Sequence, residues 1–177
     1  MTKEEELKEK TAKGLKFKEE GATAFKAGNY DKALKHYHFA LLHLRGLNDN
    51  PLSVGNARDP ENLKEEDITE LEKEISTINS NMALCQLRLE RFDQITRCAN
   101  AALKANPFNP KAKFRLAQGL IREGSIIKAT KLLDELEKAN PNDPAFAAER
   151  RQIQHKEKQS EIKQRQEFAG MFDRTKE

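Results

Sequence analysis

The second half of the sequence repeats itself at an offset of 34 residues. Ala83 corresponds to Ala117 at this offset. The Asn-Pro pair that ends at Pro107 returns in the same way at Pro141. Such a period predicts helix-turn-helix units, which stack into a solenoid because one helix pair cannot bury its apolar face alone. Since a solenoid presents a long concave surface to a ligand, the period favours a binding groove over a catalytic cleft.

A copy of the same pattern lies upstream, where Gly21 takes the position of Ala83. These two residues are 62 positions apart, so an insertion of 28 residues separates the first repeat from the second. The first half of the insertion is rich in Gly, Asn, Asp and Pro, which predicts a surface loop at about residues 46–63. Asn62 is a candidate helix cap ahead of acidic residues, so one long helix is expected at about residues 63–90.

We therefore predict an all-α fold with three tetratricopeptide (helix-turn-helix) repeats in a right-handed superhelical solenoid. The repeats are assigned to residues 1–142, and a long C-terminal capping helix is assigned to residues 143–177. The helix pairs are expected at about 4–45, 63–105 and 110–139. The individual helices are expected at about 4–27, 30–45, 63–90, 92–105, 110–123, 126–139 and 143–173.

Two sets of residues are expected to form the core between these helices. Small side chains let helices approach closely, and they are Gly21, Ala33, Ala40, Ala83, Ala102, Ala117 and Ala129. Larger side chains fill the remaining space, and they are Phe17, Phe25, Tyr30, Tyr37, Phe92, Leu103, Phe114 and Leu133. Cys85 and Cys98 are interpreted as small hydrophobic residues at helix contacts, because they lack the spacing of a redox pair.

Composition limits the classes of function. The 32 basic and 29 acidic side chains give a net charge of +3, which is weak support for nucleic-acid binding. No apolar run approaches the roughly 20 residues of a membrane span, and the polar N-terminus is unlike a signal peptide. Two cysteines form no disulfide framework, so a cytoplasmic location is expected. No catalytic motif or cofactor site is found, and His36 and His43 share a helix face without further metal ligands.

Four polar side chains stand out on the first helices of the three pairs, which line the concave face of such a solenoid. They are Lys18, Asn81, Lys111 and Arg115. Two ammonium groups, a guanidinium and an amide together suit carboxylates. The groove is therefore expected to bind a peptide C-terminus that ends in Asp or Glu. The alternative is that all four are ordinary solvated surface residues.

Residues 14–177 resemble the tetratricopeptide domains of Hsp90 and Hsp70 co-chaperones. In that family a clamp of five residues holds the carboxylates of a chaperone tail that ends in Glu-Glu-Val-Asp. The clamp patterns read here as KEEGA from Lys18, NMA from Asn81 and KAKFR from Lys111 to Arg115. The resemblance implies that these four residues form the clamp. Ala22 stands where the family has Asn, and the lost hydrogen bond to a charged carboxylate costs about 1.5–3 kcal/mol.

A narrower resemblance is to the tetratricopeptide repeat protein 9 family, to the FK506-binding immunophilins and to the aryl-hydrocarbon-receptor-interacting protein. It rests on YHFALLHLRGL at residues 37–47 with the insertion after it, KEKQ at 156–159 and FAGMF at 168–172. The resemblance implies a co-chaperone-like adaptor that binds the Hsp90 or Hsp70 tail and is not an enzyme. Two alternatives stay open. The chain is the repeat domain of a larger FK506-binding peptidyl-prolyl isomerase, or its groove holds a different peptide.

The last helix offers a second candidate docking site. Phe168, Met171 and Phe172 form an apolar set at helical spacing. Basic residues on the same helix are interleaved with acidic ones, and they are Arg150, Arg151, Lys156, Lys158, Lys163 and Arg165. The resemblance to immunophilins implies a client protein or calmodulin as the partner. The alternative is a solvated cap whose last turn packs on the domain.

Overall fold

The computed structural model describes residues 3–45, 63–141 and 143–173. Its α-helices are α1 (Lys3–Lys26), α2 (Tyr30–Arg45), α3 (Glu70–Arg88), α4 (Phe92–Ala105), α5 (Pro110–Glu123), α6 (Ile126–Ala139) and α7 (Pro144–Asp173). A short 3₁₀ turn, Glu65–Asp67, precedes α3. Each helix packs on the next along the chain, and α3 also packs on α5. The predicted all-α solenoid of helix pairs is confirmed.

The third helix begins seven residues later than the sequence pattern predicts. Thr69 caps it, because the Thr69 hydroxyl accepts a hydrogen bond from the backbone N–H of Glu72 at 3.2 Å. The backbone N–H of Thr69 in turn donates to the Glu72 carboxylate at 2.9 Å. This reciprocal capping box satisfies two helix-end donors at once and fixes the start of α3. The prediction of a helix from Leu63 is therefore wrong at this end, and its expected cap Asn62 lies outside the described residues, as does the predicted loop up to residue 62.

The small residues expected at helix contacts are buried, as predicted, and they are Gly21, Ala33, Ala40, Ala83, Ala102, Ala117 and Ala129. Gly21 shows why the size matters, because a Cβ there would lie 2.7 Å from the ring of Tyr37. Tyr37 is only 2% exposed, so a larger residue at position 21 would push α1 away from α2. Phe92 departs from its predicted core position. It is 37% exposed because, as the first residue of α4, it lines a cavity open to solvent.

The turn inside each helix pair contains a residue in the left-handed conformation. These residues are Gly28 with φ 78°, Glu90 with φ 56° and Gly124 with φ 87°. In all three turns the N–H of this residue donates to the carbonyl three residues back, and the next N–H donates to the carbonyl five residues back. Glu90 therefore occupies a position where the other two turns have glycine. The left-handed conformation strains an L residue by about 1–2 kcal/mol.

Replacing Glu90 with glycine should raise the free energy of unfolding by about 1 kcal/mol, because the relieved strain exceeds the added freedom of the unfolded chain. Thermal unfolding measures this as a rise in Tm of about 2–4 °C. Glu90→Gln is the matched control, since it removes the charge and keeps the strain. Its thermal unfolding midpoint should equal that of the wild type. A glycine variant that unfolds at or below the wild-type midpoint would show that this turn is unstrained.

The first half of α7 closes the end of the solenoid. Phe146 and Ile153 are 6% and 5% exposed and pack against the core formed by α5 and α6. Lys156 Nζ donates to the carbonyl oxygen of Ile121 at 2.5 Å and to the next carbonyl at 3.0 Å. A cation at the C-terminal end of α5 satisfies carbonyls that have no partner within the helix. The side chains of residues 157–169 are all exposed.

Within the three described ranges, no helix is long and apolar enough to cross a membrane.

Candidate peptide-binding groove

Lys18 is the first of the predicted clamp residues and lies in the second half of α1. Its Nζ donates to Oε2 of Glu74 on α3 at 2.5 Å, and the two side chains are 27% and 35% exposed. Ala22 follows one helical turn later on the same face of α1. Glu74 is a residue that the sequence analysis did not select. The amine of Lys18 is therefore already paired with a carboxylate of the chain itself.

Asn81 lies on α3 two turns after Glu74 and thus on the same helix face. Burial raises the pKa of Tyr37 to about 12, and a hydrogen bond with the Asn81 side chain lowers that pKa in part. The ring of Tyr37 in turn packs against Gly21. Tyr37 of α2 thus packs against Gly21 of α1 and lies next to Asn81 of α3.

The start of α5 is fixed against α3. Asn109 caps α5 by accepting a hydrogen bond from the N–H of Ala112 at 3.1 Å, and its Nδ2 donates to Oγ of Ser76 on α3 at 2.8 Å. Pro110 is the first residue of the helix, where its fixed φ suits the first turn. Lys111 is exposed on this turn, which contains no acidic residue. Since the helix N-terminus carries a partial positive charge, Lys111 adds a full charge where an anion is already favoured.

Arg115 is held by a hydrogen-bond network that reaches the capping helix. Its Nη1 donates to Oε1 of Gln118 at 2.6 Å, and Nε2 of Gln118 donates to Oε1 of Glu149 at 2.7 Å. Arg122 donates to the other oxygen of Glu149 at 2.8 Å. Burial and the nearby charge of Arg88 lower the pKa of Arg115, while Glu149 raises it. The predicted clamp arginine is thus fixed by a neutral side chain and has no ion pair with a described residue.

Glu149 and Gln118 are residues that the sequence analysis missed. Glu149 is 5% exposed and lies between Phe146 and Ile153 on the face of α7 that packs on the solenoid. Acidic side chains are almost never fully buried unless they are paired. The signal that would have revealed Glu149 is therefore an acidic residue at a position where the helical pattern of α7 calls for an apolar one.

Replacing Glu149 with alanine should lower the free energy of unfolding by about 2–3 kcal/mol, because Arg122 and Gln118 lose a charged partner in a buried place. The same change should weaken binding in the groove, since Arg115 is no longer held through Gln118. Glu157→Ala on the exposed half of the same helix is the matched control, and its stability should stay within about 0.5 kcal/mol of the wild type. Equal urea midpoints for the two variants would contradict the role given to Glu149.

A cavity of about 490 Å³ adjoins the predicted clamp positions and includes Arg115 in its wall. The three inner helices contribute much of its wall, through Phe25, Leu84, Arg88, Arg115, Gln118 and Arg122. Three of these residues lie seven positions after a predicted clamp residue of the same helix, namely Phe25 after Lys18, Arg88 after Asn81 and Arg122 after Arg115. Seven residues are two helical turns. The cavity therefore continues the surface of the clamp positions along α1, α3 and α5.

The second candidate docking site stays a prediction. Phe168 is 63% exposed on α7, and the side chains of Met171 and Phe172 lie outside those that the structure describes. Arg150 and Lys156 were assigned to the same surface, but both have partners in the solenoid. Arg150 binds two carboxylates of α6, and Lys156 binds the carbonyls at the end of α5. These two basic residues are therefore paired within the domain, and a docking role for the helix stays a prediction.

His36, His43 and the two cysteines of the first two repeats pack within the domain. His36 and His43 both lie against Phe17, with ring centroids 6.2 and 5.5 Å away. No group of three or more His, Cys, Asp or Glu side chains suited to a metal ion occurs among the described residues. Cys85 is buried and Cys98 is half-buried, both as free thiols. Burial raises the pKa of Cys85 to about 12, which makes this thiol unreactive near neutral pH.

Stacked helix pairs, inner helices that line a groove and a final helix that closes the end together define a tetratricopeptide repeat domain. The C-terminal tetratricopeptide domain of a Plasmodium falciparum FK506-binding protein has this fold with a TM-score of 0.69 and 20% identity, over 88% of this chain and 95% of that one. The first such domain of Spaghetti (RPAP3), solved with the HSP90 peptide SRMEEVD, has a TM-score of 0.60 and 23% identity, over 82% and 93% of the two chains.

The chain is also similar to the peptidyl-prolyl cis-trans isomerase FKBP42 of Arabidopsis thaliana, with 30% identity over 92 residues. This match spans 52% of the chain and 25% of that protein, so the chain covers a quarter of the length of this relative. No protein-family model matches the sequence. The resemblance to co-chaperone-type repeat domains, those of FK506-binding proteins included, is confirmed at the level of the fold.

Proposed function

We propose that the chain is a co-chaperone-like adaptor whose groove binds the acidic C-terminal tail of Hsp90 or Hsp70, which ends in Glu-Glu-Val-Asp. The observation that carries this proposal is the pair Lys111 and Arg115 on the first two turns of α5. Neither cation has an ion pair with a described residue, and Arg115 is held in place by Gln118. Two adjacent cations without counter-charges fit an anionic ligand. A neighbour of the same fold was solved with such a peptide, which supports the proposal.

The roles of the four clamp residues follow from their positions on the inner helices. Lys18 and Asn81 bind the terminal carboxylate of the extended peptide. Lys111 and Arg115 bind the side-chain carboxylate of the last Asp and the peptide backbone. Because Glu74 holds the amine of Lys18, the terminal carboxylate replaces Glu74 there when the peptide binds. The exchange keeps the Lys18 charge paired throughout, which limits the cost of removing it from water.

The proposal is tested with SRMEEVD as the free acid and as the C-terminal amide, titrated into the domain by calorimetry. Amidation removes the charge that Lys18 and Asn81 recognise, so affinity should fall by about 10-fold or more. Affinity for the free acid should also fall as salt is added, because charge pairs contribute most of the binding. Titration of the Hsp70 peptide SGPTIEEVD in parallel shows which of the two tails the domain binds more tightly. Equal affinity for acid and amide, or none for either, would reject the proposal.

Restoring asparagine at position 22 should strengthen binding of the free-acid peptide about 10-fold. One hydrogen bond to a charged group contributes about 1.5–3 kcal/mol, and Ala22 lacks the side chain to donate it. Thr23→Asn, at an exposed neighbouring position of α1, is the matched control and should leave affinity unchanged. If Ala22→Asn has no effect, position 22 does not face the terminal carboxylate, and the alternative that the groove holds a different peptide gains support.

The similarity to two FK506-binding proteins favours a second candidate function. The chain is then the chaperone-binding repeat domain of a larger peptidyl-prolyl isomerase, whose catalytic centre lies outside these residues. The coding sequence on both sides of this chain decides between the two candidates, since an adjoining isomerase domain would establish the second. The groove serves the same purpose in both cases, and the cytosol is the proposed compartment for either.

A further inference from the structure

Two guanidinium groups face the 490 Å³ cavity without a carboxylate partner among the described residues. Arg88 is exposed on the last turn of α3. Arg115 reaches the same cavity from α5, and its Nη1 bonds to the neutral side chain of Gln118. The two groups are close enough for the charge of Arg88 to lower the pKa of Arg115. Two like charges on one cavity wall repel each other unless an anion lies between them.

Arg122 lines the same cavity but differs from these two residues. Its charge is neutralised by Glu149 at 2.8 Å, so the chain supplies a counter-charge for this arginine. Glu90 is the one carboxylate among the described residues of the cavity wall, and it has no ion pair with a described residue. Positive charge therefore remains in excess on the wall, next to apolar side chains such as Leu84.

The position of the cavity decides which part of a bound peptide reaches it. Arg88 lies seven residues beyond Asn81 on α3, which is about 10 Å along the helix. An extended peptide advances about 3.3 Å per residue. A peptide whose terminal carboxylate lies at Asn81 and which runs along α3 towards Arg88 brings the residues three and four before its last residue to the cavity. In SRMEEVD these are the first glutamate and the methionine.

Resting on the proposed function, we infer that Arg88 forms a second anion subsite beside the clamp residue Arg115, which Gln118 orients, and that this subsite takes an acidic or phosphorylated side chain three or four residues before the end of the peptide. A guanidinium matches a carboxylate or a phosphate through two parallel hydrogen bonds, and Gln118 holds Arg115 in the orientation that this needs. The subsite favours peptide tails that carry acidic residues not only at the C-terminus but also three or four residues before it.

The test varies the methionine of SRMEEVD while the last four residues stay constant. Four peptides carry Met, Ala, Glu or phosphoserine at this position. Relative to Ala, Glu should strengthen binding about five-fold and phosphoserine about ten-fold or more, because its charge is nearly doubled. Both gains should disappear in Arg88→Gln and increase in Glu90→Gln. Arg97→Gln, which removes an exposed arginine of α4, is the matched control and should keep both gains.

A second measurement is independent of tail binding. Inorganic phosphate is titrated into the domain without peptide, and the Nε–H resonances of Arg88 and Arg115 are followed by NMR. Saturable shifts of both resonances are expected in the wild type, and loss of the Arg115 shift is expected in Arg88→Gln. The Arg97→Gln variant should behave as the wild type.

The outcomes separate the subsite from the terminal clamp. If the amide binds weakly but the Ala, Glu and phosphoserine peptides bind alike, and phosphate shifts neither arginine, the subsite is overturned and the clamp stands. If the free-acid and amidated peptides bind equally, the clamp fails. Shifts of the arginine resonances with phosphate that depend on Arg88 still support the subsite. A gain for phosphoserine alone identifies a phosphorylated tail as the ligand, and a gain for both peptides identifies an acidic side chain as sufficient.

Discussion

Arg115→Glu should abolish measurable binding of SRMEEVD, a loss in affinity of about 100-fold or more. Removing one partner of a desolvated charge pair costs about 2–5 kcal/mol, and reversing the charge adds repulsion from the carboxylates of the peptide. Arg115 is sensitive to this change because it is oriented by Gln118 and not neutralised by an acid, so its charge is available to the ligand. Calorimetry or fluorescence anisotropy with a labelled peptide measures the loss.

Two further variants make this result specific. Arg97→Glu makes the same change in net charge at an exposed site on α4 and should change affinity by about two-fold or less. Arg115→Met removes the charge but keeps the length of the side chain, and its affinity for the peptide should fall about 30-fold. Circular dichroism checks that each variant is folded. A folded Arg115→Glu domain that binds the peptide as the wild type does would remove Arg115 from the site.

Tyr37→Ala should give the largest loss of stability, about 3–5 kcal/mol, since it deletes a fully buried aromatic ring. The ring is 2% exposed and fills the space beside Gly21 where α1 and α2 meet. A cavity there cannot close without moving α1, which carries Lys18. We therefore expect thermal unfolding to shift down by about 6–20 °C and peptide binding to weaken with it.

Tyr37→Phe separates the ring from its hydroxyl group. It keeps the packing against Gly21 and removes only the hydroxyl group, so it should cost much less stability than Tyr37→Ala, about 1 kcal/mol or less. Leu42→Ala, at a position that is 69% exposed on α2, should stay within about 0.5 kcal/mol of the wild type. A Tyr37→Ala domain as stable as Leu42→Ala would show that the α1–α2 contact does not depend on this ring.

Most of the helix boundaries follow from local signals that act within a few residues. Asn109 and Pro110 start α5, and Gly124 ends it, because each favours the backbone geometry of that position. The start of α3 was misplaced although the sequence contains the signal. Thr69 and Glu72 have the spacing of a capping box, but the insertion also offers Asn62 as a plausible cap. Local rules permit both starts, and in the structure α3 begins after the capping box at Thr69.

The partners of the site residues were not predictable in the same way. Lys18 bonds to Glu74 across 56 positions of the chain, and Gln118 bonds to Glu149 across 31. Neither pair shares a local motif, and many acidic residues of the sequence would have served equally well by type. The identity of the partner depends on which helices pack together and at what rotation, and no local pattern contains that information.

The sequence by itself determined the period, and with it the helix pairs and the inner helices on which the four predicted clamp positions lie. The period suffices because each repeat buries its apolar face only by stacking on the next. Only the tertiary structure decided which cations are neutralised. Lys18 and Arg122 meet carboxylates, whereas Lys111 and Arg115 meet none among the described residues. Charge pairing depends on distances of a few ångströms between residues far apart in sequence, and only the packed helices fix those distances.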